Sequence, residues 1–187
     1  MIRLDRVALR EIQLPLVEPF ETSAGVVGER RILLLELTDT DGGETWSECV
    51  AEAVPTYSPD TVDTCWLALS DWIIPLALGQ SFDAPSDVHA IHDLCAQAGT
   101  AVWCGGMLEC GIGRAYNLAL ASLPNFTEPG DLSPSSRYWA RDVVKKPWIM
   151  DAAGRVRVPL DSAGPGFEVD TGFVDDITVR RAIFRAQ

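Results

Sequence analysis

Residues 102–114 have the sequence Val102-Trp-Cys-Gly-Gly-Met-Leu-Glu-Cys-Gly-Ile-Gly-Arg114, which decides the fold class. The pattern is an apolar strand, then a glycine turn, then the start of a helix. Such a strand–turn–helix unit is typical of enzyme barrels. In those barrels the functional residues lie at the carboxyl ends of the strands, which is where this turn falls.

The first fifty residues have a different pattern, that of an antiparallel sheet. Residues 2–14 alternate loosely between apolar and polar, which predicts a long edge strand. Arg31–Thr38 is strongly apolar and predicts a central strand. Asp41-Gly42-Gly43 predicts a hairpin turn, after which Glu44–Ala51 returns as the partner strand. We therefore expect a three-stranded antiparallel sheet.

A helix is predicted directly after this sheet. Ser58-Pro59-Asp60 supplies a capping hydroxyl, a proline for the first turn and an acidic group at the positive end. Helical spacing then joins six apolar positions, of which the last four are expected to be largely buried: Val62, Cys65, Trp66, Leu69, Trp72 and Ile73. Gly79 predicts the end of this helix. A second helix is predicted over residues 84–98, ending at Gly99.

Length and charge limit the function. The chain has 187 residues, whereas a complete α/β barrel alone needs about 250, so a barrel with a capping domain does not fit. A net charge of −12 predicts that neither nucleic acid nor an anionic membrane is a partner. No apolar run approaches 18 residues, and the five cysteines form no CxxC pair. We expect a cytoplasmic protein without a disulfide framework.

Several unusual strings together resemble one enzyme family. Near the beginning these are Leu14-Pro-Leu-Val-Glu-Pro-Phe-Glu-Thr-Ser-Ala-Gly25, Glu48-Cys-Val-Ala51 and Pro55-Thr-Tyr-Ser-Pro59. Towards the end they are residues 102–114 and the stretch 118–131. In this order they resemble the o-succinylbenzoate synthase and N-acylamino acid racemase group of the enolase superfamily. The family usually has Gly-Trp-Gly-Glu where this chain has Thr45-Trp-Ser-Glu48.

The resemblance implies an α+β fold in two blocks. Residues 1–88 resemble part of the family's capping domain, with its antiparallel sheet and helices. Residues 89–187 resemble the last βα units of a truncated (β/α) barrel and the closing tail, which in the family returns to the cap. Within this block Thr100–Cys104 resembles strand seven, Ile112–Leu123 its helix and Phe126–Asp131 strand eight. The middle of the barrel is missing, and the two blocks join near residues 87–90.

The missing part carries the family chemistry. In the family three acidic residues hold a divalent metal such as magnesium, and lysines remove a proton next to the carboxylate of a small substrate. This chain has two lysines, Lys145 and Lys146, both in the tail. The resemblance therefore implies no catalytic residues, no metal ligands and no cofactor in this chain, and we expect it to be inactive alone.

Part of the substrate-contacting surface is retained. By resemblance, substrate-binding positions are Phe20, Thr22 and Ser23 in the loop after the first strand, and Gly105, Gly106, Met107 and Leu108 in the turn after strand seven. The simpler alternative is that the two glycines make a tight turn and Met107 fills the core.

Other hypotheses stay open at this point. The chain could be a non-catalytic interaction module that self-associates or pairs with a full-length relative, because an open sheet edge is a template for another chain. It could instead be an enzyme with a rebuilt site using Glu48, Glu109 or Asp131. Two weaker patterns are a metal pair formed by His89 and His92, and an anion cradle at Gly111-Ile-Gly113, which otherwise serves helix packing.

Overall fold

A computed structural model describes residues 2–56, 58–82, 86–159 and 164–186, apart from the side chains of residues 82 and 86–91. Its strands are β1 Ile2–Thr22, β2 Gly25–Asp39, β3 Glu44–Cys49, β4 Ser81–Phe82 and β5 Thr178–Arg185. Its helices are α1 Val62–Ala68, a π-helical turn Leu69–Ile73, α2 Ile74–Ala77, α3 Ser86–Gln97, α4 Gly111–Ala121, a 3-10 turn Ser135–Arg137 and α5 Thr171–Ile177.

Strand β1 is the centre of the antiparallel sheet. The strand order is β3-β2-β1-β4, and β5 also pairs with β1, opposite Arg6–Ile12. The hairpin of β2 and β3 is confirmed, but the prediction that residues 2–14 form an edge strand is wrong. The physical reason is that the second neighbour of β1 comes from the far end of the chain, which no local pattern reveals. Among the described residues the sheet has five strands rather than the three expected.

The sheet is buried on both faces. On one face Val7, Leu9 and Leu33 pack against Val62 and Ile74 of the α1–α2 segment. On the other face the buried side chains of β1–β3 share a core with the C-terminal half of the chain: Ile12, Leu14, Ile32, Leu34, Trp46, Leu108, Cys110, Ile112, Trp139, Val143, Val144, Val169 and Val174. The C-terminal half of the chain therefore packs directly on the antiparallel sheet.

The α1–α2 segment begins and turns differently from the prediction. Its cap is Thr61, whose hydroxyl accepts from the amide of Thr64 at 3.2 Å, and not Ser58. The expected burial of Trp72 and Ile73 is wrong, because they are 60% and 53% exposed. A π turn adds one residue to the helical repeat, so that Ile74, and not Ile73, turns towards the sheet.

The two predicted barrel strands, residues 100–104 and 126–131, are absent as regular strands. Two backbone hydrogen bonds still join them, Glu128 N to Val102 O and Asp131 N to Cys104 O, and a third joins Val102 N to the preceding Asn125 O. A pair without further neighbours has too little ladder to become a sheet. The predicted helix between them is confirmed as α4.

Helix α3 and the return of the tail agree with the predictions. Helix α3 covers most of residues 84–98, and the predicted join at 87–90 lies inside it; the side chains at that join lie outside the described residues. Strand β5 returns the tail to the cap, as the resemblance implies. No helix in the described ranges is long and apolar enough to cross a membrane.

Candidate functional site

An open cavity of about 620 Å³ lies between the N-terminal strands and the segment before α4. Its wall combines the β1–β2 turn, the segment after β3, the segment before α4 and the tail. The residues that line it include Phe20, Thr22, Ser23, Arg30, Glu52, Gly106, Met107, Leu108, Asp131 and Tyr138. Apolar side chains make up much of the wall, with hydroxyls and charges at a few points, which is typical of a small-molecule site.

Six of the seven predicted substrate-binding residues line this cavity. Phe20 and Thr22 lie at the end of β1, and not in a loop as predicted, and Ser23 follows in the β1–β2 turn. Gly106, Met107 and Leu108 come from the segment before α4, over eighty residues later in the chain. Gly105 is not part of the wall. The structure brings these six residues together at one cavity. Their roles in substrate binding stay a prediction.

Gly106 is required by close packing. A Cβ at this position would lie closer than 3.0 Å to the main-chain oxygen of Asp131 and 3.1 Å from an Arg114 nitrogen. A Cβ at Gly105 would meet only the Trp103 ring, at an ordinary 3.4 Å. Gly106 therefore serves close packing and forms part of the cavity wall at the same time, whereas residues 101–107 form no regular turn.

Tyr138 completes the wall and was not predicted. Its ring lies edge-on to Phe20, with centroids 6.5 Å apart, and guanidinium groups of Arg114 and Arg137 lie 6.0 and 5.8 Å from its centroid. The backbone N–H of Val17 also donates to the Tyr138 carbonyl at 2.9 Å. The tail thus closes the cavity against β1. An aromatic residue in an irregular tail gives no sequence signal for this role.

The charged groups of the cavity are largely paired within the protein. Arg30 is 2% exposed, its Nη2 donates to the Val50 carbonyl at 2.8 Å, and its Nη1 lies 2.5 Å from Glu52. Its neighbour Arg31 pairs with Glu11 and Asp63, and these carboxylates raise the pKa of its guanidinium. The cavity lining that the structure describes includes neither lysine nor histidine.

The residues present do not fit a magnesium site. Magnesium needs several oxygen ligands in near-octahedral geometry. The described parts of the chain contain no group of three or more acidic, histidine or cysteine side chains arranged to hold a metal ion. The carboxylate of Glu52 in the cavity wall is already held by Arg30.

Glu48 and Asp142 cap the N-terminus of α4. Glu48 accepts from the amides of Cys110 and Gly113 at 3.0 and 2.7 Å and from the Cys110 thiol at 2.9 Å. Asp142 accepts from the Gly111 amide at 2.9 Å. The anion cradle hypothesis for Gly111-Ile-Gly113 is therefore wrong, because the protein's own carboxylates occupy these amides. The packing alternative is correct.

Burial controls the ionisation of this cluster. Desolvation by burial is the main reason that the pKa of Glu48 is raised to about 7. Its hydrogen bonds to Cys110 and Gly113 lower this pKa, and the nearby Glu109 raises it. Burial also raises the pKa of the Cys110 thiol well above its ordinary range. Glu109 is paired with Arg114 at 2.9 Å and accepts from Asn117 at 2.9 Å.

The three acids of the rebuilt-site hypothesis do not meet at one open site. Glu48 and Glu109 lie in the buried cluster, whereas Asp131 lines the cavity. The histidine pair also finds no support in the described residues. His92 contacts Asp93 at 2.9 Å and accepts from the Asn125 amide at 3.1 Å, and the side chain of His89 lies outside the described part.

Comparisons with known proteins match half of the chain closely. An o-succinylbenzoate synthase from Geobacillus stearothermophilus is 50% identical over 94 residues, which are 50% of this chain and 24% of that protein. An N-succinylamino acid racemase from Amycolatopsis is 49% identical over 83 residues, which are 44% of this chain and 21% of that protein. No family model matches the chain.

Over these matched residues the chain is similar to o-succinylbenzoate synthases and N-succinylamino acid racemases. Solved structures agree on the fold. An enolase-superfamily member from Listeria innocua aligns with a TM-score of 0.87 at 16% identity, covering 99% of this chain and 100% of that chain. An N-succinyl Arg/Lys racemase from Bacillus cereus aligns with a TM-score of 0.76 at 10% identity, covering 98% of this chain and 100% of that chain. At these identities the structures indicate the fold alone.

The matched region is short relative to the family enzymes. Because 94 residues are 24% of the Geobacillus synthase, that protein is about twice as long as this chain. The chain therefore matches about a quarter of the length of its curated relatives.

Proposed function

We propose that this chain is an internally truncated member of the o-succinylbenzoate synthase and N-acylamino acid racemase group that does not catalyse the parent reaction alone. The observation that carries the proposal is the span of the structural alignment. It covers 99% of this chain and 100% of the Listeria innocua relative, although family enzymes are about twice as long. Such an alignment is expected when both ends are kept and the middle is removed.

The missing middle accounts for the missing chemistry. In the parent reaction a divalent metal, magnesium in the family, stabilises the enediolate that forms when a lysine removes the proton next to a carboxylate. Both lysines of this chain lie in the tail, where Lys145 pairs with Glu168 and Lys146 is exposed. Neither lysine lines the cavity, which supports inactivity of the chain alone.

The sharpest test is exchange of the substrate proton. The purified chain is incubated in D₂O with Mg²⁺ and an N-succinylamino acid, and loss of the α-proton signal is followed by NMR. The N-succinylamino acid racemase of Amycolatopsis serves as the control enzyme. We expect exchange no faster than in buffer. Exchange at a rate near that of the control enzyme would overturn the proposal, whether or not a complete turnover follows.

The encoding DNA provides a second test. An intron-like or misassembled gap at codons 85–92 would restore the middle strands and make the product an ordinary family enzyme. An uninterrupted reading frame confirmed in messenger RNA supports a true short product.

The cellular setting is also part of the proposal. We propose a cytoplasmic location, because the five cysteines are free and reduced thiols are typical of that compartment. The charge of −12 supports partners other than nucleic acid or anionic membrane. Cell fractionation with an antibody against the chain tests the location.

A non-catalytic interaction module is the second candidate, and the α1–α2 segment favours it. Trp72, Ile73 and Leu76 stand exposed together on its outer face, at 60%, 53% and 73%. Apolar side chains grouped on one face are typical of binding surfaces. Light scattering of wild type and Leu76→Glu tests for self-association, and a dimer that the substitution dissociates supports it. A monomer that also fails to bind a full-length relative contradicts it.

A further inference from the structure

The segment that resembles strand seven leaves one main-chain edge open. Its hydrogen bonds to residues 125–131 use the N–H and carbonyl of Val102 and the carbonyl of Cys104. Carbonyls two residues apart that face the same neighbour follow the alternation of a strand, so the main-chain groups of Trp103 face the other side. Within the ranges that the structure describes, the main-chain groups of Ala101 and Trp103 have no hydrogen-bond partner. We call these main-chain groups the open edge.

The open edge is exposed and carries no charge. Trp103 is 59% exposed, and Ala101 is exposed as well. No residue from 94 to 108 is charged, although 22% of the residues in the chain are. Neither residue of the open edge lines the cavity. Charged side chains commonly protect a free strand edge against pairing with another chain, and this edge lacks them.

Strands β3 and β5 lie at the edges of the antiparallel sheet, and both are protected. On β3 the Trp46 carbonyl accepts from the hydroxyl of Tyr116 at 2.6 Å, which places α4 beside this strand. On β5 the side chains of Arg180, Arg181 and Arg185 are exposed, and pairing with a second copy would bring like charges together. The open edge differs from both strands, because it is neither covered nor charged.

We propose that the open edge is a dimer interface, which pairs in antiparallel direction with the open edge of a second copy of this chain. The Trp103 N–H of each copy donates to the Trp103 carbonyl of the other, and the two indole rings lie on the same face of the pair. Such self-pairing suits an uncharged edge, because a two-fold axis brings each residue close to its own copy. The dimer also joins four segments side by side, whereas the single chain has two, and a stable sheet needs three or more.

The proposal holds whether or not the chain is catalytically inactive, and its surface is separate from the exposed face of the α1–α2 segment. One pair of short segments with two tryptophans covers less than the about 1,200 Å² of a standard interface. We therefore expect a reversible dimer whose population rises with protein concentration.

Sedimentation velocity of the full chain over a series of concentrations measures the association. Trp103→Lys should weaken the dimer at least about tenfold, because it removes the pair of indole rings and places two like charges beside the two-fold axis. Trp72→Lys makes the same change at a tryptophan of similar exposure, 60%, on the α1–α2 segment, and should leave the association unchanged. Because both positions are exposed, both variants should keep a melting temperature near that of wild type.

Amide exchange followed by NMR locates the interface in protein with isotopically labelled tryptophan. The Trp103 amide should exchange more slowly at concentrations where the dimer forms than after dilution, because it gains a hydrogen bond in the dimer. The Trp139 amide already donates to the Ser135 carbonyl at 2.9 Å and should exchange equally under both conditions. A chain that stays monomeric, a dimer that Trp103→Lys leaves intact, or a dimer that Trp72→Lys dissociates would each overturn the proposal.

Discussion

At the scale of the residue, Glu48 links two parts of the chain that lie 62 positions apart. Its carboxylate holds the first turn of α4 through Cys110 and Gly113, while Glu109 and Asp142 face the same cluster. Burial raises its folded-state pKa to about 7, above the ordinary 4.5. A raised pKa contributes stability that is fully present below pH 4.5 and is lost as the pH rises through 7.

We predict that Glu48→Gln removes most of this pH dependence. Between pH 4.5 and 7 the wild-type free energy of unfolding should fall with rising pH, by at most about 3 kcal/mol from this group. Chemical denaturation at several pH values measures the slope. Glu44→Gln removes an exposed carboxylate from the same strand and should leave the slope unchanged. Equal slopes in wild type and Glu48→Gln would contradict the assignment.

Gly106 gives the second prediction at this scale. Gly106→Ala should lower the free energy of unfolding by about 1–3 kcal/mol, because its Cβ cannot fit against the Asp131 main chain. Gly105→Ala, one position earlier, should change it by about 0.5 kcal/mol or less. Denaturant unfolding of the two variants gives the comparison. Similar losses in both would mean that the segment tolerates rearrangement.

The sequence identified the start of α4 but not the residues that cap it. Spacing within residues 102–114 was enough to predict this helix start, whereas the predicted glycine turn is not a regular turn in the structure. Glu48 and Asp142 reach the first turn of this helix only because distant segments pack together. Tyr138 reaches the cavity wall for the same reason. Long-range packing leaves no local pattern.

At the scale of the element, the π turn in the α1–α2 segment decides which isoleucine is in the core. A regular helical repeat assigns Ile73 to the buried face, and the extra residue of the turn assigns Ile74 instead. Periodicity assumes a constant repeat, so the predicted helix was correct while part of its predicted face was wrong. The prediction that β1 is an edge strand was also wrong, because its second neighbour β5 lies at the other end of the chain.

Adjacent alanine substitutions test this assignment. Ile74→Ala should cost about 2–4 kcal/mol, because Ile74 is 2% exposed and its loss leaves a cavity against β1 and β2. Ile73→Ala, at 53% exposure, should cost less than about 1 kcal/mol. Thermal unfolding of the pair ranks them. If Ile73→Ala cost more than Ile74→Ala, the helix would be regular there and the π turn would be contradicted.

At the scale of the whole molecule, the arrangement of acids and lysines predicts weak metal binding. A tight magnesium site needs several oxygens converging on one point, and the described residues offer no such group. Isothermal titration calorimetry with Mg²⁺ should show no stoichiometric site of micromolar affinity. The Bacillus subtilis synthase provides the comparison under the same conditions. A micromolar one-to-one site in this chain would contradict the prediction.

The shared core makes a second prediction for the whole molecule. The sequence divides the chain at residue 88, yet Trp139 packs in one cluster with Ile12 and Ile32 of the sheet, and its indole N–H donates to the Glu109 carbonyl at 3.0 Å. We therefore expect one cooperative unfolding transition. Trp139→Ala should cost about 3–5 kcal/mol and weaken hydrogen-exchange protection in β1 as well as in α4.

The same substitution at Trp72, which is 60% exposed, provides the matched control and should leave protection in both elements nearly unchanged. The decisive comparison is β1 against α4 in Trp139→Ala. If β1 keeps its wild-type protection while α4 opens, the cap is an independent domain and the C-terminal segment merely rests on it. If both lose protection together, the buried face of the sheet depends on the C-terminal segment, and the two blocks fold as one unit.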